Sequence, residues 1–181
     1  RFYYHQGVQR SDLKEQKLHY KELWGYINGL NIDKMEFNND QDSIVFTENL
    51  NVNAEKYASK TGDRLLMQPN AFNRLGSAPP RYQPRKIPFE IERGFIDLDI
   101  FEIIIPDTME VEASMNNVSI KNKFGEYIVT ITDHGDSKLT YHRKFILNKG
   151  SYEKEDYAAF RDFWLEIIKV DNSKIVLKSK S

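Results

Sequence analysis

Histidine, serine and threonine side chains could carry chemistry in this chain, but their spacing matches no catalytic or metal-binding pattern. The histidines are His5, His19, His134 and His142, and no two of them stand at the short spacing of a zinc site. A nucleophile needs a placed base, and the chain has no cysteine and no Gly-x-Ser-x-Gly elbow. A triad assembled from residues distant in sequence is left open. We predict no catalytic residue, no metal site, no cofactor and no enzymatic activity in this chain.

Two pairs of carboxylates lie at alternate positions, where a strand would present each pair on one side. They are Asp97 with Asp99, and Glu90 with Glu92. Such pairs could serve a glycosidase or bind calcium. Alternating acidic residues are also typical of the solvent face of a strand, and the dense Asp/Asn/Gly spacing of a calcium loop is missing. We interpret both pairs as solvated surface.

Tyr82 stands among prolines and arginines in a stiff segment. Four of the six prolines lie between Gly76 and Pro88, which predicts a loop because proline removes backbone donors. An aromatic ring flanked by Arg81 and Arg85 could stack on a sugar or a peptide, or pack against a neighbouring domain. We favour packing against a domain and assign no ligand-binding residue.

Length and composition allow one domain, or one domain with an appendage, around a sizeable core. The 181 residues are 40% hydrophobic and carry a net charge of −1. This even balance predicts no general attraction to nucleic acid. No apolar run approaches the roughly 20 residues that a membrane helix needs, so we predict no membrane span.

A helix is predicted near each end of the chain. Apolar residues recur at three- and four-residue spacing between Asp12 and Leu30, and Asp12 with Glu15 resembles a capping box. A second stripe consists of Tyr157, Phe160, Trp164, Ile167 and Ile168. The apolar stripe of the first helix either forms a partly apolar patch exposed where a neighbouring domain would lie, or packs on the sandwich itself, and the sequence leaves both open.

Between the helices the apolar period is two, which predicts strands. The predicted strands are Ile44–Val52, Arg64–Gln68, Phe95–Ile105, Phe124–Thr132 and Leu139–Leu147, followed after the second helix by Lys174–Leu177. The apolar phase changes near Ile100 and Phe101, which indicates a bulge or burial on both faces. Tyr141, Phe145, Phe160 and Trp164 are expected to share a core or adjoining clusters.

Many short strands with peripheral helices predict a mainly β fold. We expect an antiparallel β-sandwich, immunoglobulin- or fibronectin-like, with an N-terminal and a C-terminal helix. Residues 1–31 are predicted to be a helical appendage from an upstream domain, and residues 32–181 the sandwich domain with its C-terminal helix. Because the chain begins at Arg1, we expect it to be a fragment.

Several short runs resemble a bacterial C-terminal domain of unknown function that follows a transglutaminase-like domain. The runs, in chain order, are Tyr57–Arg64, Arg85–Ile91, Ile103–Asp107, Lys123–Tyr127, Leu139–Arg143, Tyr157–Phe163 and Lys174–Lys178. The resemblance extends from about Asn31 to the end of the chain, and the order of the runs carries it more than any single run.

The resemblance implies a partner and a location. In such proteins a Cys-His-Asp triad belongs to the preceding domain, so no catalytic residue transfers to this sequence. It implies an exported, periplasmic or extracellular parent, and an accessory domain that packs on the upstream domain of the same polypeptide. The alternative is an independent extracellular module that binds a glycan or a peptide.

Overall fold

The structure, a computed structural model, describes residues 7–82 and 85–180. The chain forms two compact units that divide after Tyr57. The sequence placed the domain division between residues 31 and 32, and that assignment stays a prediction. The compact units divide later because the hairpin after Leu30 pairs with itself among the described residues.

Helix α1 of the first unit spans Leu13–Leu23 and follows helical residues at 7–10. The Asp12 carboxylate accepts a hydrogen bond from the Glu15 N–H at 2.9 Å, which confirms the predicted helix start. The predicted end at Leu30 is wrong, since Gly29 adopts a positive φ of 70° and Leu30 begins a strand. Tyr20 is buried, whereas Leu13, Leu18 and Leu23 are more than half exposed.

Strands β1, Leu30–Asp40, and β2, Val45–Ala54, form an antiparallel hairpin after this helix. The Asp40 carboxylate accepts the N–H groups of Asp42 and Ser43, each at 3.1 Å, and so closes the turn. Ile44 takes a left-handed φ of 55° in that turn and is not part of the strand predicted to start there.

The second unit contains most of the strands and a long helix. Its strands are β3 Ser59–Thr61, β4 Arg64–Met67, β5 Phe89–Ile91, β6 Phe95–Ile104, β7 Met109–Ala113, β8 Val118–Asn122, β9 Gly125–Asp133, β10 Lys138–Leu147, β11 Gly150–Tyr152 and β12 Ile175–Ser179. Helix α2 spans Tyr157–Asp171. The proline-containing segment has no strand or helix at residues 76–82, as predicted.

These strands pair into antiparallel sheets, which confirms a mainly β fold. The central sheet has the order β6-β10-β9-β8, and the C-terminal sheet has the order β3-β4-β12-β7. Strands β5 and β11 form a small separate ladder. The immunoglobulin-like sandwich stays a prediction, and α2 is the element that packs on the inner face of the central sheet.

Aromatic side chains dominate the core between α2 and the central sheet. Tyr141, Phe145 and Phe160 are buried in one cluster with Trp164 packed against it, as predicted. The Trp164 ring meets Phe145 edge-on, with ring centroids 5.9 Å apart. Phe163, which is 2% exposed, belongs to the same cluster although the predicted stripe omitted it.

Two backbones approach closely where β9 begins. A Cβ atom on Gly125 would stand 1.9 Å from the Ile146 carbonyl oxygen of β10. A side chain therefore cannot be accommodated unless the two strands separate.

A second, smaller core lies at the C-terminal sheet. It consists of Ile105, Met109, Leu139, Ile175 and Leu177. Strand β12 pairs with β4 on one side and with β7 on the other, so the last strand lies inside its sheet. Within the described ranges, no helix is long and apolar enough to cross a membrane.

Candidate functional site

Strand β6 presents apolar side chains on both of its faces. It pairs with β10 in unbroken register from Phe95 opposite Leu147 to Ile104 opposite Lys138, so the predicted bulge is wrong. Side chains alternate along a strand, which separates an inner row that includes Phe101 from an outer row that includes Ile100. The apolar phase changes at Phe101 because the inner row carries Asp97 and Asp99 before that point, while the outer row is apolar up to Ile100.

The outer row of β6 is open to solvent. Ile96, Leu98, Ile100 and Ile104 are 63%, 69%, 66% and 82% exposed, and we name these four residues the β6 face. The prediction of burial on both faces is therefore wrong. Sheets with one solvated side usually place polar residues there. Glu102 interrupts this row between Ile100 and Ile104, and the remaining positions expose large apolar side chains, which is unusual for a solvated strand face.

The charged neighbours of the β6 face are paired with one another. The Nζ atom of Lys138 lies 3.1 Å from the Glu102 carboxylate, and the Nζ atom of Lys144 lies 2.7 Å from the Glu126 carboxylate. The hydrogen bond from Lys144 holds the pKa of Glu126 below its ordinary value. The lysines therefore leave little unbalanced charge around the apolar row.

Strand β6 lies at one edge of the central sheet. In the part of the chain that the structure describes, β6 pairs with β10 alone. Its other edge carries N–H and C=O groups that can pair with a further strand. The β6 face and this edge together form a surface suited to another folded segment.

A buried ionic network fixes the inner row of β6. Arg143 of β10 is 2% exposed and donates to the Asp99 carboxylate at 2.7 Å and to the Asp171 carboxylate at 3.1 Å. Asn73 also donates to Asp99. The prediction that Asp97 and Asp99 form a solvated pair is wrong for Asp99, which is 7% exposed, and Asp97 is half-buried.

Asp171, at the end of α2, accepts hydrogen bonds from several elements. Its Oδ1 atom accepts from the Tyr127 hydroxyl at 2.6 Å and from the Asn70 side chain at 2.8 Å. Its Oδ2 atom accepts the Leu75 N–H at 3.0 Å. The carboxylate therefore ties the loop before β5 to β9, β10 and α2.

Burial and charge shift the proton equilibria of this network. Burial, and then the neighbouring Asp171 carboxylate, raise the pKa of Tyr127 far above its ordinary value. Burial opposes the charged form of Arg143, but the carboxylates of Asp171 and Asp99 outweigh it and raise the pKa of the guanidinium. Tyr127 therefore stays a neutral donor and Arg143 a cation.

The network is structural, since its members are shielded from solvent and engaged with one another. Asp171, Arg143 and Tyr127 are each no more than 2% exposed, so a substrate cannot reach them. Sequence reasoning missed Arg143, although strict alternation along β10 places it on the inner face between Tyr141 and Phe145. A charged residue at a position that the alternation predicts to be buried was the signal that could have revealed the network.

The remaining predicted residues lie apart from one another. His134 has its Nε2 atom 2.8 Å from the Thr140 hydroxyl, and His142 is exposed on β10. Glu90 and Glu92 are exposed, as predicted. His19 belongs to α1, and His5 lies outside the described residues. No group of three or more His, Cys, Asp or Glu side chains in the described ranges could hold a metal ion.

Tyr82 borders a concavity of about 460 Å³ at the start of α2, which we name the Tyr82 concavity. The ring is 54% exposed, and its centroid lies 5.8 Å from that of Tyr157. The Tyr157 hydroxyl donates to the Pro80 carbonyl at 2.8 Å, and the Arg161 Nε atom donates to the Pro79 carbonyl at 3.2 Å. These bonds fasten the proline loop to α2.

Fold and surface together define a mainly β domain with a satisfied interior and an apolar strand face directed outward. The chain belongs to the DUF3858 family, a domain of unknown function with a solved structure, whose sequence pattern matches residues 63–177. This match confirms the part of the resemblance that concerns a domain of unknown function. The β1–β2 hairpin, which the resemblance included, lies before the matched residues.

A comparison with solved structures finds similarity to a crystal structure described as a putative protease from Parabacteroides distasonis. The two chains are 21% identical with a TM-score of 0.46, and the similar region covers 55% of this chain and 19% of that one. The similar region therefore spans about a fifth of that protein's length. No curated protein matches the sequence.

Proposed function

We propose that this chain is a non-catalytic accessory domain that docks through the β6 face onto another domain of the same, longer polypeptide. The observation that carries the proposal is the outward row of Ile96, Leu98, Ile100 and Ile104, each more than 60% exposed. The resemblance described above implies that the partner is a preceding transglutaminase-like domain. It also implies a periplasmic or extracellular parent.

The size of the β6 face fits a partner held on the same polypeptide. Complete burial of a Leu or Ile side chain contributes about 1.5–3 kcal/mol. At the observed exposures, covering the four side chains would contribute roughly 4–8 kcal/mol in all. When two free proteins associate, the loss of translational and rotational freedom costs at least about 4 kcal/mol, which would offset much of the free energy gained by burial. A tether raises the effective concentration to the millimolar range, so a face of this size suffices.

The chemistry of the surface favours an accessory role over a catalytic one. The buried carboxylates and the arginine are engaged within the network, and the exposed histidines lie apart. Docking of this domain would shape access to the catalytic centre of the preceding domain without supplying a reacting group.

Hydrogen exchange of the β6 amides tests the docking. We expect these amides to exchange more slowly in a longer polypeptide that includes the preceding domain than in this chain alone, because docking covers the β6 face and its open edge. Leu98→Lys should abolish the difference, since it places a charge in the apolar contact. Ile87→Lys is the matched control, because Ile87 is 67% exposed outside the β6 face. Equal exchange in the two unmodified proteins would contradict the proposal.

A further inference from the structure

The Tyr82 concavity carries cations with unused donors. The Nε atom of Arg85 donates to the Ile87 carbonyl at 3.0 Å. Its two terminal nitrogens make no hydrogen bond or ion pair within residues 7–82 and 85–180. Arg161 also uses only its Nε atom, on Pro79, among the residues the structure describes. Both guanidinium groups border the concavity and keep terminal donors available to a ligand.

Aromatic rings hold one of these guanidinium groups in place. The Arg85 Cζ atom lies 4.4 Å from the Tyr157 ring centroid and 5.4 Å from that of Phe89. It lies 5.6 Å from the centroid of Tyr82. Such stacking fixes a planar guanidinium before a ligand arrives, which reduces the entropy lost on binding.

Two carboxylates in the same lining restrict which anion fits. Glu155 and Asp162 border the concavity beside the arginines, and Glu155 lies 3.7 Å from Lys154. Repulsion from these carboxylates disfavours a phosphate dianion and an acidic peptide that has no hydroxyl groups. The same carboxylate oxygens accept hydrogen bonds from hydroxyl groups. The lining therefore suits a sugar whose ring carries both a carboxylate and several hydroxyls.

Tyr82 adds an apolar surface to this polar set. Its ring is more than half exposed, although Arg85 and Tyr157 lie close to it. The C–H face of a sugar ring can pack on such an aromatic face. The proline loop is bonded to α2 through the Pro79 and Pro80 carbonyls, shortly before Tyr82 in the chain.

We propose that the Tyr82 concavity binds a carboxylate-bearing sugar of the uronic acid class. Arg85 and Arg161 receive the carboxylate, Tyr82 packs on the sugar ring, and Glu155 with Asp162 accept from its hydroxyls. This site is separate from the β6 face, so it does not depend on docking between domains.

Calorimetric titration of the chain with trigalacturonate tests this assignment. We expect saturable binding of one trisaccharide per chain that weakens as salt is added, because salt screens the arginines. Arg85→Gln should weaken binding by at least about tenfold, since a charge-assisted hydrogen bond is lost. Tyr82→Ala should weaken binding by about fivefold through lost ring packing. Because Tyr82 is 54% exposed, this second variant keeps its melting temperature and remains informative if Arg85→Gln unfolds.

Matched substitutions elsewhere serve as controls. Arg93→Gln and Tyr26→Ala remove the same groups from exposed positions outside the concavity and should leave the dissociation constant unchanged. Maltotriose, which lacks the carboxylates, should bind more weakly than trigalacturonate. No heat of trigalacturonate binding at about 10 mM would overturn the proposal. It would also be overturned if triglutamate bound as tightly, because the site would then accept acidic peptides.

Discussion

The Asp171 carboxylate is the most informative single position in the interior, and we predict that Asp171→Asn strongly destabilises the second unit. The substitution preserves shape but removes the charge opposite Arg143, 3.1 Å away. If the amide oxygen keeps the bonds from Tyr127 and Asn70, the new NH₂ group must face the Leu75 N–H, which now donates to Oδ2 at 3.0 Å. The new NH₂ group and the Leu75 N–H are then two hydrogen-bond donors that face each other in a solvent-excluded interior.

The expected loss follows from these contacts. A charge-assisted hydrogen bond contributes about 1.5–3 kcal/mol, and an unsatisfied buried donor costs about 1–3 kcal/mol. The sum of roughly 2.5–6 kcal/mol spans the usual cost of breaking a buried ion pair, which is about 3–5 kcal/mol. The control is Glu112→Gln, because Glu112 accepts two hydrogen bonds from Arg64, at 2.5 and 2.6 Å, on the surface. An exposed pair of this kind contributes less than about 1 kcal/mol.

Urea unfolding followed by tryptophan fluorescence measures both variants. The chain has two tryptophans, and Trp24 lies in the first unit. In the Trp24→Phe variant, the tryptophan fluorescence comes from Trp164 alone. It reports the unfolding of the second unit, because Trp164 packs against the core of that unit. If Asp171→Asn and Glu112→Gln lowered the free energy of unfolding equally, the network would not contribute the stability that its burial implies.

Three further predictions concern the same unit. The raised pKa values of Tyr127 and Tyr141 mean that the unfolded chain loses these protons first, near the ordinary value of 10.0. The free energy of unfolding should therefore fall above that pH by about 1.4 kcal/mol per pH unit for each tyrosine, and Tyr127→Phe should reduce the slope in alkaline denaturation. Gly125→Ala should lower the free energy of unfolding in urea by at least about 3 kcal/mol. Gly76→Ala should leave it unchanged, because a Cβ atom there would meet no atom within 4 Å. Phe163→Ala should lower the free energy of unfolding by about 3–5 kcal/mol in the same urea experiment. An unchanged unfolding midpoint would show that α2 does not contribute to the core.

The sequence predicted well those elements whose burial is one-sided. Strand β10 and helix α2 each pack one face on the core, so their apolar periods of 2 and 3.6 identified them within a residue or two. Helix α1 was extended too far, because the apolar stripe continues past Leu23 into residues that the hairpin buries instead. Ile27 and Leu30 are buried, but they lie beyond the end of the helix.

Strand β6 was predicted at Phe95–Ile105 and lies at Phe95–Ile104, but the exposure of its apolar outer row and the ionic network could not be predicted, for different reasons. The period-2 pattern assumes that apolar residues face inward, and β6 breaks this assumption because its outer row is also apolar. The network depends on residues far apart in sequence, such as Asn70 with Asp171, and no local pattern brings them together. The phase change near Ile100, which we interpreted as a bulge or as burial on both faces, reflects an exposed apolar row in a strand of unbroken register.

The position of β12 dictates when the second unit can be completed during synthesis. Strands β6, β8, β9 and β10 all precede residue 148, so the central sheet can pair before the rest of the chain emerges. Strands β4 and β7 meet no common partner until residues 175–179 insert between them. At a translation rate of about 5–20 residues per second, the edges of β4 and β7 that pair with β12 stay unpaired for several seconds. A nascent chain stalled before Ile175 would therefore combine an ordered central sheet with two exposed, aggregation-prone edges.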